Sequence, residues 1–179
     1  MRAVFFDRDG VLNDVNLRDG LPYPPANRGE LRLAPDARES LLQLKAAGFL
    51  LIVVTNQPDV ARGAQSRAEV ESINADLASQ LPLDEILTCW HDDRDACSCR
   101  KPKPGMLLDA AARHKITLNE SFLVGDRWRD IDAGAAAGCR TVLIDRQYRE
   151  RSAEHSPDFR AQTLTDATRW ILRTRSDEG

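Results

Sequence analysis

The sequence lacks the features that mark membrane, secreted and nucleic-acid-binding proteins. No uninterrupted apolar run approaches the ~20 residues that a membrane helix needs, and the apolar N-terminal run stops at Asp7, too early for a signal peptide. The formal net charge of −3 gives no basic surface for nucleic acid or anionic lipid. We therefore expect a cytoplasmic protein that binds neither nucleic acid nor a membrane, and no feature requires it to be more than a monomer.

Cysteine and histidine are also scarce, at 4 and 3 of 179 residues. In a chain without an export signal, cysteines are more often reduced or metal-bound than paired in disulfides. The length is sufficient for a normal hydrophobic core without covalent staples, which predicts one domain over residues 1–179.

Apolar strand-like runs alternate with helical patterns along the chain. The predicted strands are Ala3–Phe6, Leu50–Thr55, Glu85–Cys89, Phe122–Gly125 and Thr141–Ile144. The predicted helices are Asp36–Ala47, a helix from the Ser66 capping box through Gln80, Met106–Lys115, Ile131–Ala137 and about Thr165–Arg173. Continuous strand hydrophobicity is typical of a parallel sheet covered on both faces. We predict an α/β fold with a doubly wound, three-layer parallel sheet, in which residues 14–34 and 90–105 are irregular connections.

Two aspartates follow the first predicted strand. Asp7 and Asp9 are two residues apart, so their side chains can share one face at the carboxyl end of that strand. Two carboxylates this close repel each other unless a cation or a shared proton separates them. An ordinary Asp/Gly turn is the alternative on this segment alone.

Three later segments carry polar groups suited to phosphate chemistry. They are Thr55-Asn56-Gln57, then Arg100-Lys101-Pro102-Lys103-Pro104-Gly105, and Gly125-Asp126-Arg127-Trp128-Arg129-Asp130. A cationic cluster before a helix N-terminus favours phosphate, and Asp7 with Asp126 offers the hard oxygen ligands that Mg²⁺ prefers. The set predicts a site for a phosphate and a magnesium ion.

A second metal site is predicted between residues 89 and 99. Cys89, His91, Cys97 and Cys99 supply three thiols and an imidazole, which is a tetrahedral zinc set. Four protein ligands would close the site, so the zinc would be structural and would hold the loop before Lys101. Ordinary reduced cysteines are the alternative.

From Val4 to about Ile144 these motifs resemble the haloacid dehalogenase-like phosphatases. Asp7-Arg8-Asp9-Gly10-Val11 is similar to their first motif, Thr55 to the second, Lys101 to the third, and Gly125-Asp126 with Asp130 to the fourth. The resemblance implies that Asp7 is the nucleophile and Asp9 the general acid/base, and that Thr55 and Lys101 hold the phosphoryl group. It also implies that Mg²⁺ is bound by Asp7, Asp126 and the backbone carbonyl of Asp9, with Arg127 and Asp130 in support.

The zinc loop resembles one branch of that family, which contains the heptose 1,7-bisphosphate phosphatases and the histidinol-phosphate phosphatases and lacks a large cap domain. Similarity to the heptose enzymes implies a small phosphorylated metabolite, a sugar bisphosphate, as substrate. The substrate-binding residues it implies are Asn56, Gln57, Arg62 and Arg100, with Arg100 on the distal phosphate. The alternatives are histidinol phosphate as substrate, or a catalytically inactive, zinc-stabilised interaction module.

Overall fold

The computed structural model describes residues 1–176. Its strands are β1 (Ala3–Phe6), β2 (Asn16–Arg18), β3 (Leu21–Tyr23), β4 (Leu50–Asn56), β5 (Glu85–Cys89), β6 (Phe122–Gly125), β7 (Arg140–Ile144) and β8 (Phe159–Ala161). Its α-helices are α1 (Ala37–Ala46), α2 (Pro58–Ala61), α3 (Arg67–Gln80), α4 (Gly105–His114), α5 (Trp128–Ala137) and α6 (Leu164–Ser176). Short 3₁₀ turns cover Arg28–Glu30, Asp93–Asp95 and Leu118–Glu120. None of the described helices is long and apolar enough to cross a membrane.

Six strands form one parallel sheet in the order β5-β4-β1-β6-β7-β8. β1 lies in the middle, where Val4 is paired with Leu51 of β4 on one side and with Phe122 of β6 on the other. Because all six strands run the same way, their carboxyl ends lie along one edge of the sheet. The predicted doubly wound α/β fold is confirmed.

Alternate residues of β1 separate the core into two layers. Val4 and Phe6 point into the layer beneath α1, α3 and α6, whereas Ala3 and Phe5 point into the layer beneath α4 and α5. All four side chains are fully buried. Burial on both faces accounts for the continuous hydrophobicity of this strand.

Helix α5 begins three residues earlier than predicted, at Trp128 rather than Ile131. The carboxylate of Asp130 accepts a hydrogen bond from the backbone N–H of Arg127 at 3.0 Å, and this contact fixes the first turn of the helix. Because Asp130 caps the helix, it is held within reach of the strand ends.

Two further elements were not predicted from the sequence. Residues 14–34 contain the antiparallel hairpin of β2 and β3, whose short, largely exposed strands give no hydrophobic pattern. β8 adds to the edge of the sheet beside β7, and Phe159 stacks on Trp170 of α6 with ring centroids 5.3 Å apart. Within the described residues this hairpin is the largest structured insertion, and no separate cap domain is present.

Candidate active site

The carboxyl ends of the central strands border a cavity of about 140 Å³. The charged residues that line it are Asp7, Asp9, Asp59, Arg62, Lys101, Arg127, Arg129 and Asp130. Pro22 and Tyr23 of the hairpin form part of the opposite wall. This edge is where ligands bind in open α/β sheets.

Lys101 connects two of the buried carboxylates. Its Nζ lies 2.9 Å from Oδ1 of Asp7 and 2.6 Å from Oδ1 of Asp130. Asp126 is buried beside them, and one carboxylate oxygen from each of the three aspartates lies within 4.8 Å of the others. One ammonium group therefore faces three carboxylates.

Burial and the neighbouring charges shift the pKa values of Asp7, Asp126 and Lys101. Burial raises the pKa of Asp7 to about 6; Lys101 opposes this shift, while Asp130 and Asp9 add to it. Burial also raises the pKa of Asp126 well above its usual range, and the charges of Asp7 and Asp130 reinforce that shift. For Lys101, burial alone would lower the pKa, but Asp130 and Asp7 raise it above its ordinary value.

The cluster has the properties of a divalent cation site. Oδ1 of Asp126 is buried and has no hydrogen-bond partner among residues 1–176, whereas Oδ2 accepts a hydrogen bond from the Tyr148 hydroxyl at 2.7 Å. An unpaired carboxylate oxygen beside two further carboxylates suits a hard cation with oxygen ligands. The residues present therefore fit Mg²⁺.

The carboxylate of Asp9 is held apart from that cluster by three donors. Arg8 contacts it through Nε at 3.2 Å and Nη2 at 3.0 Å. Asn13 donates to Oδ1 at 3.0 Å and Gln57 donates to Oδ2 at 2.8 Å. These contacts fix Asp9 at the rim of the cavity, where it lies close to Asp7 in sequence but has separate partners.

Arg8 is the largest fully buried side chain among the residues whose burial the structure describes. Its Nη1 donates to Oδ1 of Asn74 on α3 at 2.7 Å, and Nδ2 of Asn74 donates in turn to the Thr88 hydroxyl on β5 at 3.1 Å. A buried guanidinium is tolerated only when its donors are paired. A chain of hydrogen bonds thus links Asp9 to two elements on the far side of the site.

The Thr55-Asn56-Gln57 segment at the end of β4 is also fully engaged. Thr55 accepts a hydrogen bond from Gln57 at 2.8 Å. Asn56 contacts the backbone of Lys101 twice, donating to its carbonyl at 3.0 Å and accepting from its N–H at 3.1 Å. The two amides therefore position Asp9 and Lys101.

The four residues of the predicted zinc set come together at the end of β5. Sγ of Cys89 lies 3.8 Å from Sγ of Cys97 and 3.0 Å from Sγ of Cys99, and Nδ1 of His91 lies 3.3 Å from Sγ of Cys99. Zn–S bonds of about 2.3 Å in a tetrahedron place sulfur atoms about 3.8 Å apart. The cluster is compact enough for zinc, and Cys139 lies outside it.

The loop that carries the predicted zinc set, residues 89–101 and called the zinc loop below, also supplies acids that hold three arginines. Asp92 pairs with Nε of Arg62 at 2.9 Å. Asp93 pairs with Nε of Arg100 at 2.8 Å and with Nη1 of Arg129 at 3.2 Å. The hydrogen bond from Arg100 is the main reason that the pKa of Asp93 is lowered.

Arg100 and Arg129 differ in their access to the site. Arg129 lines the cavity that contains Asp7 and also donates to the backbone carbonyl of Lys101 at 3.3 Å. Arg100 is nearly buried and lines an adjoining space of about 110 Å³ on the zinc-loop side, which Arg129 borders as well. Arg129 therefore lies between the two spaces.

Similarity to named proteins covers almost the whole chain. D-glycero-beta-D-manno-heptose-1,7-bisphosphate 7-phosphatase of Escherichia coli (strain K12) is 33% identical over an alignment that covers 96% of this chain and 94% of that protein. The chain belongs to the haloacid dehalogenase-like phosphatases. The family profile described as HAD-hydrolase-like matches residues 98–167. The enzyme of the same name from Pasteurella multocida (strain Pm70) is 39% identical, with 80% of this chain and 81% of that protein covered.

Solved structures of the haloacid dehalogenase-like phosphatases agree with the fold. D,D-heptose 1,7-bisphosphate phosphatase from B. bronchiseptica, crystallised with magnesium and phosphate, matches with a TM-score of 0.80 and 29% identity, covering 97% of this chain and 99% of that one. A putative HAD-like phosphatase from Mesorhizobium loti matches with a TM-score of 0.76 and 26% identity, covering 96% and 86%. The predicted family and the predicted phosphatase activity are both confirmed.

The predicted site residues of this phosphatase do not include Arg8, Arg129 or Tyr148. Arg129 lies between Asp126 and Asp130, and its positive charge is the feature of the sequence that could indicate a phosphate contact. Arg8 stands between the two motif aspartates, but its burial depends on Asn74, 66 positions away. Tyr148 lies in a polar stretch that gives no pattern, and nothing local connects it to Asp126.

Removing the Asn74 side chain should destabilise the phosphatase. Asn74→Ala leaves Nη1 of the buried Arg8 without its acceptor, and we expect the free energy of unfolding to fall by about 1–3 kcal/mol. Urea denaturation measures the change, with the exposed Asn16→Ala as the matched control. A loss no larger than that of the control would contradict the role given to this hydrogen bond.

Proposed function

We propose that this phosphatase removes the C7 phosphate of D-glycero-D-manno-heptose 1,7-bisphosphate through a phosphoryl intermediate on Asp7. The buried ion pair between Asp7 and Lys101, with Asp9 at the cavity rim, is the observation that carries this chemistry. The names of the relatives from E. coli and P. multocida support the substrate. The product, a heptose 1-phosphate, would be a precursor of a nucleotide-activated heptose.

The reaction is two displacements at phosphorus. In the first, a carboxylate oxygen of Asp7 forms a bond to phosphorus, the bond from phosphorus to the sugar oxygen breaks, and Asp9 gives its proton to that oxygen. In the second, Asp9 takes a proton from water, whose oxygen attacks phosphorus and releases inorganic phosphate and the Asp7 carboxylate. The three donors on Asp9 would keep it aimed at the reacting oxygen in both steps.

The remaining groups would offset charge and hold the phosphoryl group. Lys101 and the hydroxyl of Thr55 would contact its oxygens, while Asp130 keeps Lys101 in place. Asp7, Asp126 and the backbone carbonyl of Asp9 would hold Mg²⁺. When bound, the ion supplies positive charge that lets two anions meet and that stabilises the transition state.

We assign the distal phosphate to Arg129, with Arg100 and Arg62 as neighbouring cations. Arg100 and Arg129 share the single carboxylate of Asp93, so the pair carries one uncompensated positive charge in the ligand-free protein. A phosphate entering beside Arg129 would meet that charge at the wall of the cavity. A planar guanidinium is also well matched to phosphate oxygens.

Replacing Arg129 should weaken binding of the bisphosphate selectively. We expect Arg129→Ala to raise KM for heptose 1,7-bisphosphate about tenfold or more, equivalent to about 1.4 kcal/mol, with little effect on a heptose 7-phosphate that lacks the distal group. Arg94→Ala is the control, because Arg94 is an exposed arginine of the neighbouring 89–101 loop and does not line the cavity. Equal losses on both substrates would mean that Arg129 only positions Lys101.

The substrate itself is tested by comparing kcat/KM, in the presence of Mg²⁺, for both anomers of heptose 1,7-bisphosphate and for histidinol phosphate. We expect at least a hundredfold preference for a heptose anomer, which is about 2.7 kcal/mol of transition-state binding. Asp7→Asn, which keeps the shape of the side chain, should abolish release of phosphate while the protein stays folded. A preference for histidinol phosphate would overturn the substrate, whereas full activity of Asp7→Asn would overturn the mechanism.

We also propose that Cys89, His91, Cys97 and Cys99 bind a structural Zn²⁺. The compact cluster supports this proposal, and so does the position of its last ligand immediately before Arg100 and Lys101. Zinc would fix the loop whose acids hold the arginines of the site. It would take no part in the reaction, because four protein ligands leave no open position.

Metal analysis of the purified protein should therefore find about one zinc per chain. Cys97→Ser should lower zinc content and raise KM for the bisphosphate, because the loop that carries Asp92 and Asp93 loses its anchor. Cys139→Ala, outside the cluster, should retain the metal. A zinc-free protein with full activity would refute the structural role.

A further inference from the structure

The segment that follows β7, residues 145–150, is tied to the loop after β1 although the proposed reaction makes no use of it. Nε of Arg146 donates to the carbonyl of Gly10 at 3.1 Å. The backbone N–H of Arg149 donates to the carbonyl of Gly20, in the turn of the hairpin, also at 3.1 Å. These two contacts hold Tyr148 between them, over the end of β6.

The hydroxyl of Tyr148 makes one close contact, a 2.7 Å hydrogen bond to Oδ2 of Asp126. Gly10 closes the other side of that oxygen, since a Cβ at Gly10 would lie 1.9 Å from Oδ2 and 2.8 Å from the Tyr148 hydroxyl. Oδ2 is therefore enclosed by backbone and phenol. Oδ1 remains as the buried oxygen with no partner among the described residues.

The phenol is suited to act only as a donor at this position. The Asp126 carboxylate offers only acceptor oxygens, so the 2.7 Å contact uses the phenol O–H as its donor. A protonated phenol has one O–H, which here is directed to one acceptor. The hydrogen bond consequently selects which oxygen of Asp126 is free.

The same segment also reaches the residue after Asp126. Glu150 accepts hydrogen bonds from Nε of Arg127 at 2.9 Å and from Nη2 at 2.6 Å. Arg127 lines the cavity, so two adjacent residues at the end of β6 are held by two residues of this segment. The contacts of Tyr148 with Asp126 and of Glu150 with Arg127 therefore fix residues 145–150 relative to the site at two points.

We propose that Tyr148 is a positioning residue for the metal-binding carboxylate, because its hydroxyl orients Asp126 so that Oδ1 is available to Mg²⁺ alongside Asp7. This inference rests on the proposed function, since it concerns the same magnesium site. Partners that orient metal-binding carboxylates typically change metal affinity by about 10–100-fold when removed. Without the hydroxyl, the Asp126 carboxylate could rotate, and Oδ1 would no longer be held in the orientation that faces Mg²⁺.

The test is Mg²⁺ binding without substrate, measured by calorimetry on the full chain as wild type, Tyr148→Phe and Glu154→Gln. Tyr148→Phe keeps the ring and removes only the hydrogen bond, and we expect it to weaken Mg²⁺ binding at least tenfold. Glu154→Gln removes an exposed ion pair with Arg151 a few residues further along and should bind as the wild type does. In assays, Tyr148→Phe should need more Mg²⁺ for half-maximal rate, with kcat at saturating Mg²⁺ nearly unchanged.

Thermal unfolding separates a positioning role from a structural one. We expect the Tm of the metal-free Tyr148→Phe protein to stay within a few degrees of wild type, while the rise in Tm on adding Mg²⁺ becomes smaller. Unchanged or tighter Mg²⁺ binding by Tyr148→Phe would overturn the inference and leave the proposed function standing. Absence of saturable Mg²⁺ binding by the wild type would overturn the magnesium site and the inference together.

Discussion

Asp7, Asp126 and Asp130 are buried with a single ammonium group, that of Lys101, and the arrangement of the site depends on how this excess negative charge is held. Burial makes the repulsion strong, because water does not screen it. The fold tolerates the cluster only because the sheet edge, the helix start at Asp130 and the hydrogen bond from Tyr148 fix each carboxylate separately. A buried cluster with excess negative charge attracts a divalent cation, and only with that charge offset can the phosphate of the proposed hydrolysis approach Asp7.

The positive charges of the site, unlike its buried carboxylates, are each paired with a group of opposite charge. Each arginine around the cavity has an acidic partner in the ligand-free protein, and two of those partners, Asp92 and Asp93, come from the zinc loop. Pairing keeps long side chains ordered where they are needed. It also means that an incoming phosphate has to compete with a carboxylate, so affinity reflects a difference between two ion pairs rather than one attraction. The same arginine–carboxylate ion pairs therefore keep the arginine side chains ordered and set the affinity for the phosphate.

Local pattern was sufficient for the parts of this molecule that depend on a few neighbouring residues. The parallel α/β fold was predicted because buried strands are continuously apolar, and the grouping of the zinc set was predicted because its members lie within eleven positions. The hairpin and β8 were missed because short or edge strands lack a hydrophobic period. Contacts such as those of Arg8 with Asn74 and of Tyr148 with Asp126 depend on the paths of distant loops, which no local pattern encodes.

The position of the zinc set affects how much conformational entropy the loop before Lys101 would lose when substrate binds. Cys99 is two residues before Lys101, and Asn56 holds the backbone of Lys101 from the other side. An ion bound there would restrict the backbone of that segment when the protein folds, so little conformational freedom would remain to be lost when substrate arrives. Among residues 1–176 no cap domain lies over the ligand site, so in this part of the chain an already ordered loop would position the groups that contact substrate.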